Sequence, residues 1–94
     1  MSTFIKDLIT KKLKQLTPGE LLHYGKQYGF KLTQEEAQQI TTYLKNNRVD
    51  PFNTGGRKIM LKELAKITDV ETAKKAQKLF DKLIKSYGLD HLFN

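Results

Sequence analysis

The groups best placed to do chemistry in this chain are its lysines. Lys74, Lys78, Lys82 and Lys85 are spaced 4, 4 and 3 residues apart, so a helix sets them on one face, with Lys75 beside them. Lys62 and Lys66 form a shorter row just before. Such rows can track a phosphate backbone, each neutralised phosphate adding about 0.9 to the salt dependence of binding. Ammonium groups act as point charges and lack the guanidinium fork that reads guanine, so the contact expected is non-specific. Asp81 and Glu71 lie one turn from members of the row and partly compensate it. The competing reading is a solvated face of a basic amphipathic helix.

A second candidate is RVDPFNTGGRK, residues 48–58, which holds both arginines and an adjacent pair of glycines. Backbone amides at a helix start, here Thr54, Gly55 and Gly56 with Arg48 and Arg57 on either side, can hold an anion. A Walker loop is excluded, because a helix precedes the stretch and no Gly-Lys-Ser or Gly-Lys-Thr occurs. The plainer expectation is a connector. Asp50 caps a single turn begun by Pro51, Val49 and Phe52 plug into the core, and Asn53 or Thr54 caps the next helix. Gly55 and Gly56 then leave a loosely held, mobile tip.

Catalytic groupings are missing. There is no cysteine, hence no disulfide and no thiolate chemistry, which fits a reducing cytosol. His23 follows Glu20 by three residues, but no H-E-x-x-H pattern accompanies them, and His91 stands in the tail. Ser2 and Ser86 lie in no nucleophile elbow. Glu35 and Glu36 are adjacent at a helix start, where capping accounts for them. These residues imply no enzyme, no metal and no cofactor.

Helices must position all of these groups. Thr17-Pro18-Gly19-Glu20, Thr33-Gln34-Glu35-Glu36 and Thr68-Asp69-Val70-Glu71 each match the Thr-x-x-Glu capping box, with Pro18 at a first helical position. Apolar residues recur at helical spacing in five segments, near residues 3–16, 18–28, 34–46, 56–67 and 69–87. Lys26-Gln27-Tyr28-Gly29-Phe30 and Lys85-Ser86-Tyr87-Gly88-Leu89 both read as helix ends with a left-handed glycine. In the second, Leu89 can pack on Ile84, and Leu92 and Phe93 fold back on the core. No segment alternates with a strand's period. The expectation is an all-α, compact bundle of about five short helices over residues 1–94, a single helical domain, with short connections and one longer loop near residues 46–56.

The run TPGELLHYGKQYGFKLTQEEAQQITTYLK, then DPFN, then ITDVETAKKAQKLFDKLIKSYG, resembles the YqfT-like family of short uncharacterised proteins from Gram-positive bacteria. The resemblance spans nearly the whole chain. It implies an intracellular helical protein of unknown function and assigns no functional residue.

Two further surfaces deserve weighing. Segments 18–28 and 34–46 join through a short turn at Gly29, with small Gly25 one turn earlier, as in a helix-turn-helix. Gln34, Gln38, Gln39 and Thr42 would then face bases, but Glu35 and Glu36 would face phosphate, which argues against DNA reading. The apolar stripe of segment 3–16 (Phe4, Ile5, Leu8, Ile9, Leu13, Leu16) is bordered by Lys6, Lys11, Lys12 and Lys14. A 94-residue chain has little core to spare, so this stripe is expected to pack on the bundle, or to make a homodimer if one bundle cannot bury it.

Net charge is +7, both halves of the chain are basic, and 15 of the 17 positive residues are lysine. No apolar run reaches the roughly 18 residues of a membrane span, and the lysine-rich N-terminal stretch with Asp7 is unlike a secretory signal. The sum is a cytoplasmic, non-enzymatic interaction module whose partner is a protein, as monomer or homodimer. The alternative is non-specific nucleic-acid binding through the lysine row.

Overall fold

Local helix chemistry decides the architecture. The computed structural model describes residues 2–86, and its side-chain detail covers residues 6–82 and Lys85. Five helices follow one another: α1 (Ser2–Lys14), α2 (Pro18–Gln27), α3 (Gln34–Asn46), α4 (Thr54–Ile67) and α5 (Val70–Ser86). No strand occurs among the described residues. The expected all-α bundle is what forms. The second Lys-x-Tyr-Gly ending, the packing of Leu89 on Ile84, the tail residues Leu92 and Phe93, and His91 lie outside the described residues or side chains.

Two capping boxes form as read. The Thr17 hydroxyl accepts from the Glu20 N–H at 3.1 Å, and Glu20 Oε1 accepts the Thr17 N–H at 3.0 Å. Thr33 and Glu36 repeat the exchange at 3.0 and 2.9 Å. Each threonine contributes about 1 kcal/mol to its helix. The third box does not form. Thr68 ends α4 instead: its hydroxyl and its N–H both donate to the Leu64 carbonyl, at 2.7 and 2.9 Å. Asp69 takes over the capping of α5, its carboxylate accepting from the Thr72 N–H at 2.6 Å. Only Thr68 and Asp69 separate α4 from α5, so one residue must close the first helix while the next opens the second.

These caps make stability depend on pH. Hydrogen bonds from backbone N–H groups, of Thr72 to Asp69 and of Thr17 to Glu20, hold both carboxyls below the ordinary carboxylate range. Their contribution is therefore present above the unfolded-state pKa and lost as pH falls through the lower, folded-state value. A Glu20→Gln, Asp69→Asn double variant should lose less stability than the natural sequence between about pH 5 and about pH 3. Urea melts at both ends of that range would show parallel losses if the two carboxylates were unimportant.

The end of α2 is a Schellman motif. The Phe30 N–H donates to the Gly25 carbonyl at 2.7 Å and the Gly29 N–H to the Lys26 carbonyl at 3.2 Å, with Gly29 left-handed at φ 81°. The chain folds over Gly25, where an added Cβ would meet Leu32 and Phe30 at ordinary contact distance. Gly25 therefore faces its own helix's exit rather than a second helix.

The bundle is two helical pairs gathered on α3: α2 packs with α3, α4 packs with α5, and both α1 and α4 lean on α3. Ala37, Thr41 and Leu44, spaced 4 and 3, are the buried stripe that makes α3 central. Buried Thr41 satisfies its hydroxyl on the Ala37 and Gln38 carbonyls. Around α3, the buried set among the described residues also includes Val49, Phe52 and Ala73. Among the described residues several large apolar side chains turn outward. Leu8 of α1 is 56% exposed and Val70 of α5 is 59% exposed, so the described part of the α1 stripe is not fully covered by the bundle.

Candidate functional site

The connector 47–53 is built inward. Phe52 N–H donates to the Asp50 carboxylate at 3.1 Å, closing the turn begun at Pro51, and Val49, Pro51 and Phe52 are buried. Asn53 caps α4 by accepting from the Gly56 N–H at 3.1 Å. The helix thus starts at Thr54, two residues before the expected position, and Gly55 and Gly56 are its first turn rather than a loosely held tip. Arg57 reaches back, donating from Nη1 to the Pro51 carbonyl at 3.1 Å and from Nη2 to the Thr54 hydroxyl at 3.4 Å. Its guanidinium therefore braces the connector. Of the five candidate anion-binding residues, Thr54 and Arg57 border a cavity of about 310 Å³ together with apolar Met60, Leu61 and Phe80. Arg48, Gly55 and Gly56 do not line it.

All seven candidate lysines, Lys62, Lys66, Lys74, Lys75, Lys78, Lys82 and Lys85, are exposed. The structure divides them. Lys75 donates to the Gly29 carbonyl at the end of α2 and lies 5.0 Å over the Phe30 ring, a charge-assisted bond and a cation–π contact that tie α5 to the α2 exit. Lys74, Lys75 and Lys78 then share a groove of about 550 Å³ with Lys31, Asp69 and Glu71. Lys62, Lys66, Lys82 and Lys85 stand outside it. Lys31 carried no signal in the sequence, because it sits in an irregular link where spacing predicts nothing.

The groove adjoins an apolar cleft of about 300 Å³ between the two helical pairs. Leu21, Tyr24 and Gly25 of α2 and its C-cap residue Tyr28 form one wall, and Ala76 and Leu79 of α5 form the other. Phe30 and Thr72 line both cleft and groove. Tyr24 and Tyr28 are each 48% exposed, so two aromatic rings one turn apart edge an opening that the helices do not fill. Leu21, Leu22, Gly25 and Tyr28 recur at the spacing of an apolar helix face, and the tyrosine pair at positions 24 and 28 is the sequence feature that marks this face as partly open.

A polar concavity of about 590 Å³ lies on α3, where Gln38, Gln39 and Thr42 stand with Glu35 and Glu63. Burial first, and then Glu63, pushes the Tyr43 hydroxyl above its ordinary pKa. The two carboxylates at this face would repel a phosphate backbone. His23 is exposed, with its ring 5.6 Å edge-on to Tyr24. Among the described residues no group of three or more His, Cys, Asp or Glu is placed to hold a metal ion, and no helix is long and apolar enough to cross a membrane.

Residues 1–84 match the model of a family described as protein of unknown function, DUF2624. The chain belongs to this family. It is similar to the uncharacterized protein YqfT of Bacillus subtilis (strain 168), with 38% identity over 73 residues, covering 78% of this chain and 87% of that protein. The resemblance read from the helix caps and the DPFN connector is thereby established. No solved structure matches the chain. Family membership assigns no residue of this chain a role.

Proposed function

We propose that the chain is a non-enzymatic protein-interaction module that docks a helix of a partner protein in the apolar cleft between the α2–α3 and α4–α5 pairs. The observation that carries this reading is an apolar opening bordered by half-exposed Tyr24 and Tyr28. Tyrosine offers a large, rigid contact area at low entropic cost, which is why it recurs at interface centres. Under this proposal residues 1–94 act as one helical domain in the cytoplasm, as monomer or homodimer. A photo-crosslinking residue placed at Tyr28 in living cells should form an adduct with a discrete protein, while the same residue at exposed Lys45 should not. Equal labelling from both positions would sink the proposal.

Non-specific polyanion binding is a second reading, favoured by the convergence of Lys31, Lys74 and Lys78 on one groove. It predicts that labelled DNA or RNA binds with a steep salt dependence that drops when Lys74, Lys78 and Lys82 are reversed to Glu. No binding even at low salt removes it.

A further inference from the structure

We infer that the segment docked in the cleft is an amphipathic helix carrying acidic residues along one flank of its apolar face. This rests on the docking reading above and adds the chemistry of the partner. The helical form follows from what the cleft lacks. Its walls are side chains of Leu21, Ile40, Leu64, Ala76 and Leu79 with the tyrosine rings, and no strand edge exists among the described residues to pair with an extended peptide. An extended segment would bring unpaired N–H and C=O groups into an apolar site, whereas a helix satisfies its own and presents side chains at i, i+3, i+4 and i+7.

The acidic flank follows from the border. Phe30 and Thr72 belong to both surfaces, so an occupant of the cleft lies alongside the groove. That groove carries Lys31, Lys74, Lys75 and Lys78 against Asp69 and Glu71, a net charge of 4 − 2 = +2. Asp69 is already engaged by the Thr72 N–H, and Lys75 by the Gly29 carbonyl. Lys75 and Asp69 keep their charges but are held in place, so the ammonium groups left to reach a partner are those of Lys31, Lys74 and Lys78, with Glu71 opposing them. Complementary rim charges of this kind set partner choice and encounter rate more than total affinity. A nucleic-acid strand could stack bases only on Tyr24, Tyr28 and Phe30, whereas the remaining walls, Leu21, Ile40, Leu64, Ala76 and Leu79, are aliphatic and suit the apolar face of a helix better than base edges.

The test is selection on the full chain from a phage-displayed library of randomised helical peptides at about 150 mM salt. Enriched peptides should carry apolar residues at helical spacing and net negative charge. One synthesised from the enriched set should bind roughly tenfold more weakly to a Lys74→Glu, Lys78→Glu variant, and also to Tyr28→Ser. Tyr28 is half-exposed, and circular dichroism checks that both variants stay folded. Enriched peptides that are neutral or basic, or that ignore the lysine reversals but lose binding in Tyr28→Ser, overturn the acidic class and leave the docking reading standing. No enrichment, or peptides indifferent to Tyr28→Ser, overturns both. Self-association abolished by Tyr28→Ser would put a second copy in the cleft, and single-stranded RNA binding abolished by it would put nucleic acid there. Either outcome overturns the inference.

Discussion

Replacing Gly56 with alanine should destabilise the protein by about 2–4 kcal/mol, although alanine is the better helix former. An added Cβ would stand 2.2 Å from the Asp50 carbonyl oxygen and 3.1 Å from its carbon. No rotamer relieves this clash, because the obstacle is backbone. Moving Asp50 means moving its neighbours, and Val49, Pro51 and Phe52 are all buried. Two other glycines supply the contrast. Gly19 has nothing within 4 Å of a would-be Cβ and sits in the first turn of α2, so Gly19→Ala should stabilise by about 0.5–1 kcal/mol. At Gly55 the Cβ would lie 3.1 Å from the Asn53 cap oxygen, so the helix-propensity gain and the crowding of the cap should nearly cancel. Urea unfolding of the three variants would read the order directly. A Gly56→Ala midpoint at or above that of the natural sequence would mean that α4 does not start against Asp50.

The threonine boxes at 17 and 33 are legible in the sequence and the close approach at Gly56 is not, because the two act over different ranges. A capping box is complete within four residues, so spacing contains its whole chemistry. The Thr68 box failed because two caps overlap there in one register, and only the position of Leu64 decides which residue serves which helix. A glycine says that a side chain is missing. It does not say whether freedom or a close approach requires the absence, and at Gly56 the reason is a carbonyl six residues away. The lysine face of α5 was legible by period, but the bond of Lys75 to Gly29 spans 46 residues and left no local mark. The cleft was illegible for a related reason. Leu21, Gly25 and Tyr28 have the spacing of a core stripe, and whether such a stripe is closed depends on how near the α4–α5 pair comes. Lys75 and the α3–α4 contact set that distance.

Phe52→Ala should be the more damaging change, costing about 3–5 kcal/mol. Phe52 is 4% exposed, as is Val49, so its ring leaves a cavity that a braced connector cannot collapse to fill. The Asp50 carboxylate holds the Phe52 N–H, and Arg57 holds the Pro51 carbonyl. The Lys6 ammonium also lies 5.8 Å over the ring, a contact of about 0.5–1 kcal/mol at an exposed site, so Lys6→Ala should cost far less than loss of the ring. A domain this small has a stability near the lower end of about 5–15 kcal/mol, so Phe52→Ala should be partly unfolded without denaturant, whereas Phe52→Leu, which refills much of the space, should still melt cooperatively. Circular dichroism melts of both would check this, and an unchanged midpoint for Phe52→Ala would remove the connector from the core. Tyr28→Ser, at the half-exposed edge of the cleft, should by contrast leave the midpoint nearly untouched. That difference separates the two regions physically. The 48–58 stretch packs into the core, whereas Tyr28 and the lysines beside it, which the proposed docking would use, are exposed and can be changed with little loss of stability.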